Sequence, residues 1–175
     1  VTDHLSRWLF APSDHAAGQL AREGIIAGVH VVGDIMADAL ELHRERATAR
    51  TRVLEELGLV ADGYYLATVH RAENADDPDR LRGIFAALGR LGRPVVVPIH
   101  PRTRKSVATL GLPMGENLRV VEPQGYVDML ALQAHAACVL TDSGGIQKEA
   151  YWLRVPCVTL PVSCAPPSGA SFPIG

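Results

Sequence analysis

Ten residues, Thr141-Asp142-Ser143-Gly144-Gly145-Ile146-Gln147-Lys148-Glu149-Ala150, carry the densest chemistry in the chain. Two adjacent glycines between an apolar run and a helical pattern let backbone N–H groups come close to a phosphate. A helix N-terminus adds partial positive charge there, worth about 0.3–1 kcal/mol. Ser143 adds a hydroxyl donor. Glu149, one to two turns into the helix, offers the two carboxylate oxygens that a ribose diol needs. The run is neither a Walker A loop nor a GxGxxG fingerprint, and a glycine-rich turn with Ser143 as a plain N-cap has the same composition.

A second constellation is His70-Arg71-Ala72-Glu73-Asn74. An imidazole in such a loop donates to a phosphate oxygen or moves a proton near neutral pH. The alternative is an Arg71–Glu73 surface pair beside a structural histidine. His100-Pro101-Arg102-Thr103-Arg104-Lys105 is a basic helix start, suited either to an anion or simply to solvent. His4, His15, His30, His43 and His135 show no ligand spacing and read as surface or packing residues. Cys138 and Cys157 lie in apolar runs and read as core. With Cys164 they give neither metal spacing nor a disulfide framework.

The elements that must position these groups alternate between strand and helix. Ser13 is an N-cap for a helix ended by Gly24, and Val29 to Val32 is a short strand. Residues 35 to 58 read as helix, broken around Ala47–Arg50, with Gly58 as its stop. Strands follow at 64–69, 94–99, 118–121, 137–141 and 155–160. Between them, Pro78 opens a helix whose stripe is Leu81, Ile84, Phe85, Leu88 and Leu91. A further helix runs from Tyr126 to Ala137, with Leu130 and Ala134 inward, and another from Ser143 to about Leu153. Apolar strands each followed by a helix imply a parallel sheet covered on both faces, with ligands at the strands' carboxyl ends. His70, His100, Gln124 and the Asp142–Gly145 turn all fall at those ends.

Composition agrees. The chain has 175 residues, 47% hydrophobic and 21% charged, with a net charge of −2. That is globular chemistry, without the basic footprint of a nucleic-acid or anionic-membrane binder. No apolar run approaches a membrane span, and Asp3, His4 and Arg7 do not suit a signal peptide. A soluble protein in a reducing, cytoplasmic compartment is the expectation.

In this order on one sheet, the motifs resemble the non-hydrolysing UDP-N-acetylglucosamine 2-epimerases. The matching runs are Leu9 to Ser13, Val32-Gly33-Asp34 through Leu40, His70 to Asn74, His100-Pro101, Pro123 to Tyr126, and Thr141 to Ala150. The resemblance implies a GT-B fold of two Rossmann-like domains, present here in part. Residues 1–33 would be the tail of the first domain and 34–60 a helical connection. Residues 61–160 would be an incomplete C-terminal nucleotide-binding domain, and 161–175 an aberrant tail.

It implies an isomerase that interconverts UDP-GlcNAc and UDP-ManNAc by eliminating and re-adding UDP, with neither metal nor nicotinamide, homodimeric as a whole protein. By position, His70 would act at the diphosphate leaving group. Ser143, Gly144 and Gly145 would bind the phosphates and Glu149 the ribose. Gln124 and Met129 would frame the uracil, where relatives often place an aromatic at the position of Met129. Arg71 and His100 match substrate or allosteric contacts. Lys148 replaces a usual acidic residue. The family's acid/base carboxylates would lie before Val1, and its Arg and Thr-Glu pair are replaced around Pro161, Ser163, Cys164 and Ala165. Alternatives are a non-catalytic UDP-sugar-binding module, a GT-B glycosyltransferase and a hydrolysing epimerase.

Overall fold

The computed structural model describes residues 1–49, 51–99, 103–104, 107, 109–112 and 114–160. His100, with its neighbours Pro101, Arg102 and Lys105, lies outside the described residues, as does the tail from 161 to 175. The chain divides into two compact units, Val1–Glu45 and Arg46–Gly175.

In the first unit a one-turn helix α1 (Thr2–Leu5) precedes strand β1 (Leu9–Ala11), too short for its pattern to show in the sequence. Helix α2 (Asp14–Arg22) begins where the Ser13 hydroxyl accepts from the Ala16 N–H at 3.2 Å. It ends before Gly24, whose φ of +83° suits glycine. Strand β2 (Val29–Val31) pairs parallel to β1, Leu9 opposite Val29. At Gly28, φ is +73° and a Cβ would collide with the Arg7 carbonyl, so the turn into β2 requires glycine.

Helix α3 (Ile35–Ala49) runs on through residues 47–49, where a break was expected, the one-turn helix α4 (Val53–Glu56) follows, and Gly58 comes after it at φ +59°. The second unit then builds its sheet. It holds β3 (Tyr65–Thr68), a helical turn α5 (Ala72–Ala75), α6 (Pro78–Leu88) and β4 (Val95–Pro98). After these come β5 (Leu118–Val121), α7 (Tyr126–Ala134), β6 (Cys138–Thr141), α8 (Gly144–Leu153) and β7 (Cys157–Thr159). All pairs are parallel and the order is β5-β4-β3-β6-β7.

Asp77 caps α6, its carboxylate accepting from the Asp79 and Arg80 N–H groups at 3.0 and 3.1 Å, with Pro78 in the first turn. Leu81, Ile84, Phe85 and Leu88 pack with Ala67, Val95 and Val97 in one buried cluster. Leu91, beyond the end of α6, packs against the same cluster. The Asn117 amide donates at 3.0 Å to the carbonyls of Leu88 and Leu91, satisfying groups that the end of α6 leaves open.

Strand alternation turns Leu66 and Val96 to the opposite face, and both are fully buried. On that face Tyr64 donates its hydroxyl to the Leu132 carbonyl at 2.7 Å, tying α7 to the sheet. Burial pushes the Tyr64 phenol far above its ordinary pKa, with the Asp62 carboxylate adding to the effect. Helices therefore cover both faces, as the sequence implied. Leu130 is buried and Ala134 half-buried, and α7 stops at Ala134 rather than 137.

One expectation is overturned. Cys157 is exposed and Cys138 only half-buried. Among the described residues β7 is bonded to β6 on one side only, and all three of its residues are exposed.

Candidate functional site

β3 and β6 are neighbours in the sheet, but the strands that follow them in sequence lie on opposite sides. Such a switch point opens a crevice at the carboxyl ends of the two strands. Their last residues, Thr68 and Thr141, are register partners, fully buried, with hydroxyl oxygens 2.6 Å apart. His70 follows the one strand and Ser143 the other.

Between them sits Asp142, 1% exposed. Its carboxylate accepts from the backbone N–H of His70 at 2.9 Å, from that of Arg71 at 3.1 Å, and from the Asn74 side-chain amide at 3.0 Å. A buried carboxylate is tolerated when N–H groups surround it in this way. Asp142 thus anchors the loop after β3 to the end of β6. It presents the His70 side chain, which is exposed, at the mouth of the crevice.

Ser143 is the N-cap of α8, its hydroxyl oxygen 3.5 Å from the Ile146 N–H, while its own N–H donates to Thr141 Oγ1 at 3.0 Å. The first N–H groups of a helix have no partner within it, so α8 presents donors and the positive end of its dipole to the crevice. Gly144 is telling. Its φ is not left-handed and a Cβ there would meet nothing within 4 Å. Neither backbone conformation nor packing within the protein calls for glycine.

His70, Gln124, Met129, Ser143, Gly145 and Glu149 line a single cleft of about 630 Å³. Gly144 opens α8 between two of these without lining the cleft itself. Arg71 contributes its backbone N–H to Asp142 and is otherwise exposed, and His100 lies outside the described residues. Glu149, 7% exposed, accepts at Oε2 from the Gln133 side-chain amide at 2.7 Å. Tyr126 reaches the same carboxylate. Its phenol pKa is raised by loss of solvent first, then by the Glu149 charge and the hydrogen bond to it.

Asp142, Asn74 and Tyr126 enter the sequence motifs without a role of their own, and Gln133 enters none of them. Two of them carry a signal that sequence offers. Gln133 is a lone amide in the apolar stretch Leu130-Ala131-Leu132, and Asp142 is a carboxylate closing an apolar strand before two glycines. Among the described residues no group of three or more His, Cys, Asp or Glu could hold a metal ion, and no helix is long and apolar enough to cross a membrane.

The profile of the UDP-N-acetylglucosamine 2-epimerase family matches residues 1–163. A UDP-N-acetylglucosamine 2-epimerase homolog from Methanococcus maripaludis is 43% identical over 168 residues, covering 91% of this chain and 46% of that protein. A UDP-2,3-diacetamido-2,3-dideoxy-D-glucuronate 2-epimerase from Pseudomonas aeruginosa is also 43% identical, over 167 residues, covering 91% and 45%. Among solved structures, the Methanocaldococcus jannaschii UDP-GlcNAc 2-epimerase in complex with UDP-GlcNAc and UDP superposes with a TM-score of 0.80 at 39% identity. That match covers 91% of this chain and 46% of that one. The chain thus spans just under half the length of the relatives it matches.

Proposed function

This chain belongs to the UDP-N-acetylglucosamine 2-epimerase family, and from that premise we propose that it supplies the nucleotide-binding half of a 2-epimerase site interconverting UDP-GlcNAc and UDP-ManNAc. The observation that carries the reading is the convergence of His70, Ser143, the α8 N-terminus and Glu149 on one cleft at the switch point. Residues 61–160 are the nucleotide-binding domain in this proposal. A cytoplasmic location and a homodimeric whole protein belong to the same reading.

In the reaction the C2 proton and the C1-bound UDP leave together, so that the C1–O bond breaks and a C1=C2 bond forms. UDP then adds back at C1 while a proton returns to the other face of C2. Negative charge develops on the departing β-phosphate. Donors already aimed at that charge stabilise the transition state more than the ground state. The backbone N–H groups at Gly144 and Gly145, the Ser143 hydroxyl and the His70 imidazole supply them. Glu149 takes the ribose hydroxyls, and Gln124 and Met129 bracket the uracil. The base that removes the C2 proton is assigned to no residue of this chain.

The sugar has a second reading, because the two relatives of equal identity carry different sugars in their names, the first as a homolog. Both are UDP-activated 2-epimerase substrates, and the nucleotide contacts serve either.

Calorimetric titration of UDP tests the nucleotide half, with Ser143→Ala and Glu149→Ala as controls. Saturable binding weakened by both changes is expected, and a folded protein that gives no heat with UDP overturns the proposal. Titrating both nucleotide sugars then decides between the two readings: the proposed one requires the tighter binding for UDP-GlcNAc.

A further inference from the structure

Gln133 and Glu149 lie on successive helices, α7 and α8, and both line the cleft. Gln133 is 1% exposed and its Nε2 donates to Glu149 Oε2 at 2.7 Å. The carboxylate accepts only, so the amide orientation is fixed: the NH₂ group faces Glu149 and the carbonyl faces away. That carbonyl oxygen, Oε1, is buried and has no hydrogen-bond partner among the described residues.

A buried acceptor without a partner costs stability. An apolar side chain in the Leu130–Leu132 stretch would avoid that cost. Fold stability therefore does not account for an amide at position 133, whereas the bond to Glu149 does. With Tyr126 holding the same carboxylate, Glu149 is restrained from two points of α7, positions 126 and 133, two turns apart on one helix face.

We propose that Gln133 is a positioning residue for ribose recognition: its amide holds the Glu149 carboxylate in the orientation that accepts both hydroxyls of a nucleotide's ribose. The inference rests on the nucleotide reading of this cleft. In this proposal Gln133 acts through Glu149. It restricts the rotamers of a long carboxylate side chain, so that the geometry exists before the nucleotide arrives.

The test is calorimetric titration of UDP, 2′-deoxy-UDP and 3′-deoxy-UDP onto the parent chain and the near-isosteric Gln133→Met variant. The parent should bind UDP more tightly than either deoxy form. In Gln133→Met the UDP affinity should fall about tenfold, as for loss of one hydrogen bond to a charged group. The deoxy forms should lose less than about threefold, because they use the positioned carboxylate only in part. The parent's preference for UDP over its deoxy forms should therefore shrink.

Merely structural damage would weaken all three nucleotides alike and leave the preference intact, which overturns the inference. So does a parent that does not distinguish UDP from its deoxy forms. A parent that binds no UDP overturns the nucleotide reading itself, a separable result. Gln133→Asn withdraws the same donor by one methylene while keeping the amide. It should reproduce the lost preference if the methionine variant does not fold.

Discussion

Gly144→Ala should make the protein more stable and a poorer nucleotide binder at once. At this position the new Cβ would meet no atom within 4 Å, and the backbone is not left-handed. Alanine is therefore accommodated without strain, and the unfolded chain loses conformational freedom. A gain of about 0.4–1 kcal/mol is expected. For a chain of this size each kcal/mol moves the melting temperature by roughly 2–4 °C, so the variant should melt about 1–4 °C higher. Every Cα–Cβ bond in a helix tilts toward its N-terminus, so the added methyl projects into the space where a phosphate would meet the first N–H groups. Losing one charge-assisted hydrogen bond costs about 1.5–3 kcal/mol, a rise in Kd of about 10–150-fold for UDP. Thermal unfolding without ligand and calorimetric titration with UDP read the two effects separately. A variant that melts higher yet binds UDP as the parent does would refute the placement of the phosphates at α8. One that melts lower would refute the steric argument itself.

Asp142→Asn replaces an acceptor of three N–H donors with a group that turns its own NH₂ toward one of them. Urea unfolding should show a loss of about 2–3 kcal/mol, with UDP affinity falling as the His70 loop is released. Tyr64 makes alkaline stability diagnostic. Its pKa in the folded state lies above the unfolded value of 10.0, so its contribution is complete below pH 10. Above that, the unfolded chain ionises first and stability falls by up to about 1.4 kcal/mol per pH unit. Denaturant titrations at pH 9 and 11 should show a smaller loss for Tyr64→Phe than for the parent; equal losses would mean that another group governs the alkaline limb. Met129→Phe should tighten UDP by about 1 kcal/mol if the uracil stacks there, and calorimetry showing no change would place the base elsewhere.

Much of the fold was legible because parallel strands buried on both faces announce themselves. Val95-Val96-Val97 needs no partner sequence to be read as a buried strand, and the helix that precedes it follows from Asp77-Pro78 and the 81-84-85-88 spacing. The site was legible in so far as it hangs on strand ends, which placed His70 and Ser143 on the correct edge. What the sequence could not show was sheet order. Nothing in Cys138–Thr141 says that it lies beside Tyr65–Thr68 rather than beside Leu118–Val121. Without that adjacency neither the Asp142 anchor, spanning 68 to 72 residues, nor the exposure of Cys157 on β7 could be read. The Gln133–Glu149 bond was hidden for a different reason. Helical spacing gives the face of a residue within its own helix, but not which neighbouring helix meets that face.

The Asp142 anchor bears on the kinetics of ligand capture. Because His70 and Arg71 are held by their backbone N–H groups to the end of β6, the backbone of this loop is fixed as the sheet forms. Under the proposed function, an incoming nucleotide would meet a loop whose backbone is already fixed at these two residues. Association should then be set by diffusion and charge steering rather than by a slow rearrangement. Affinity differences among site variants would appear chiefly in how long the nucleotide stays.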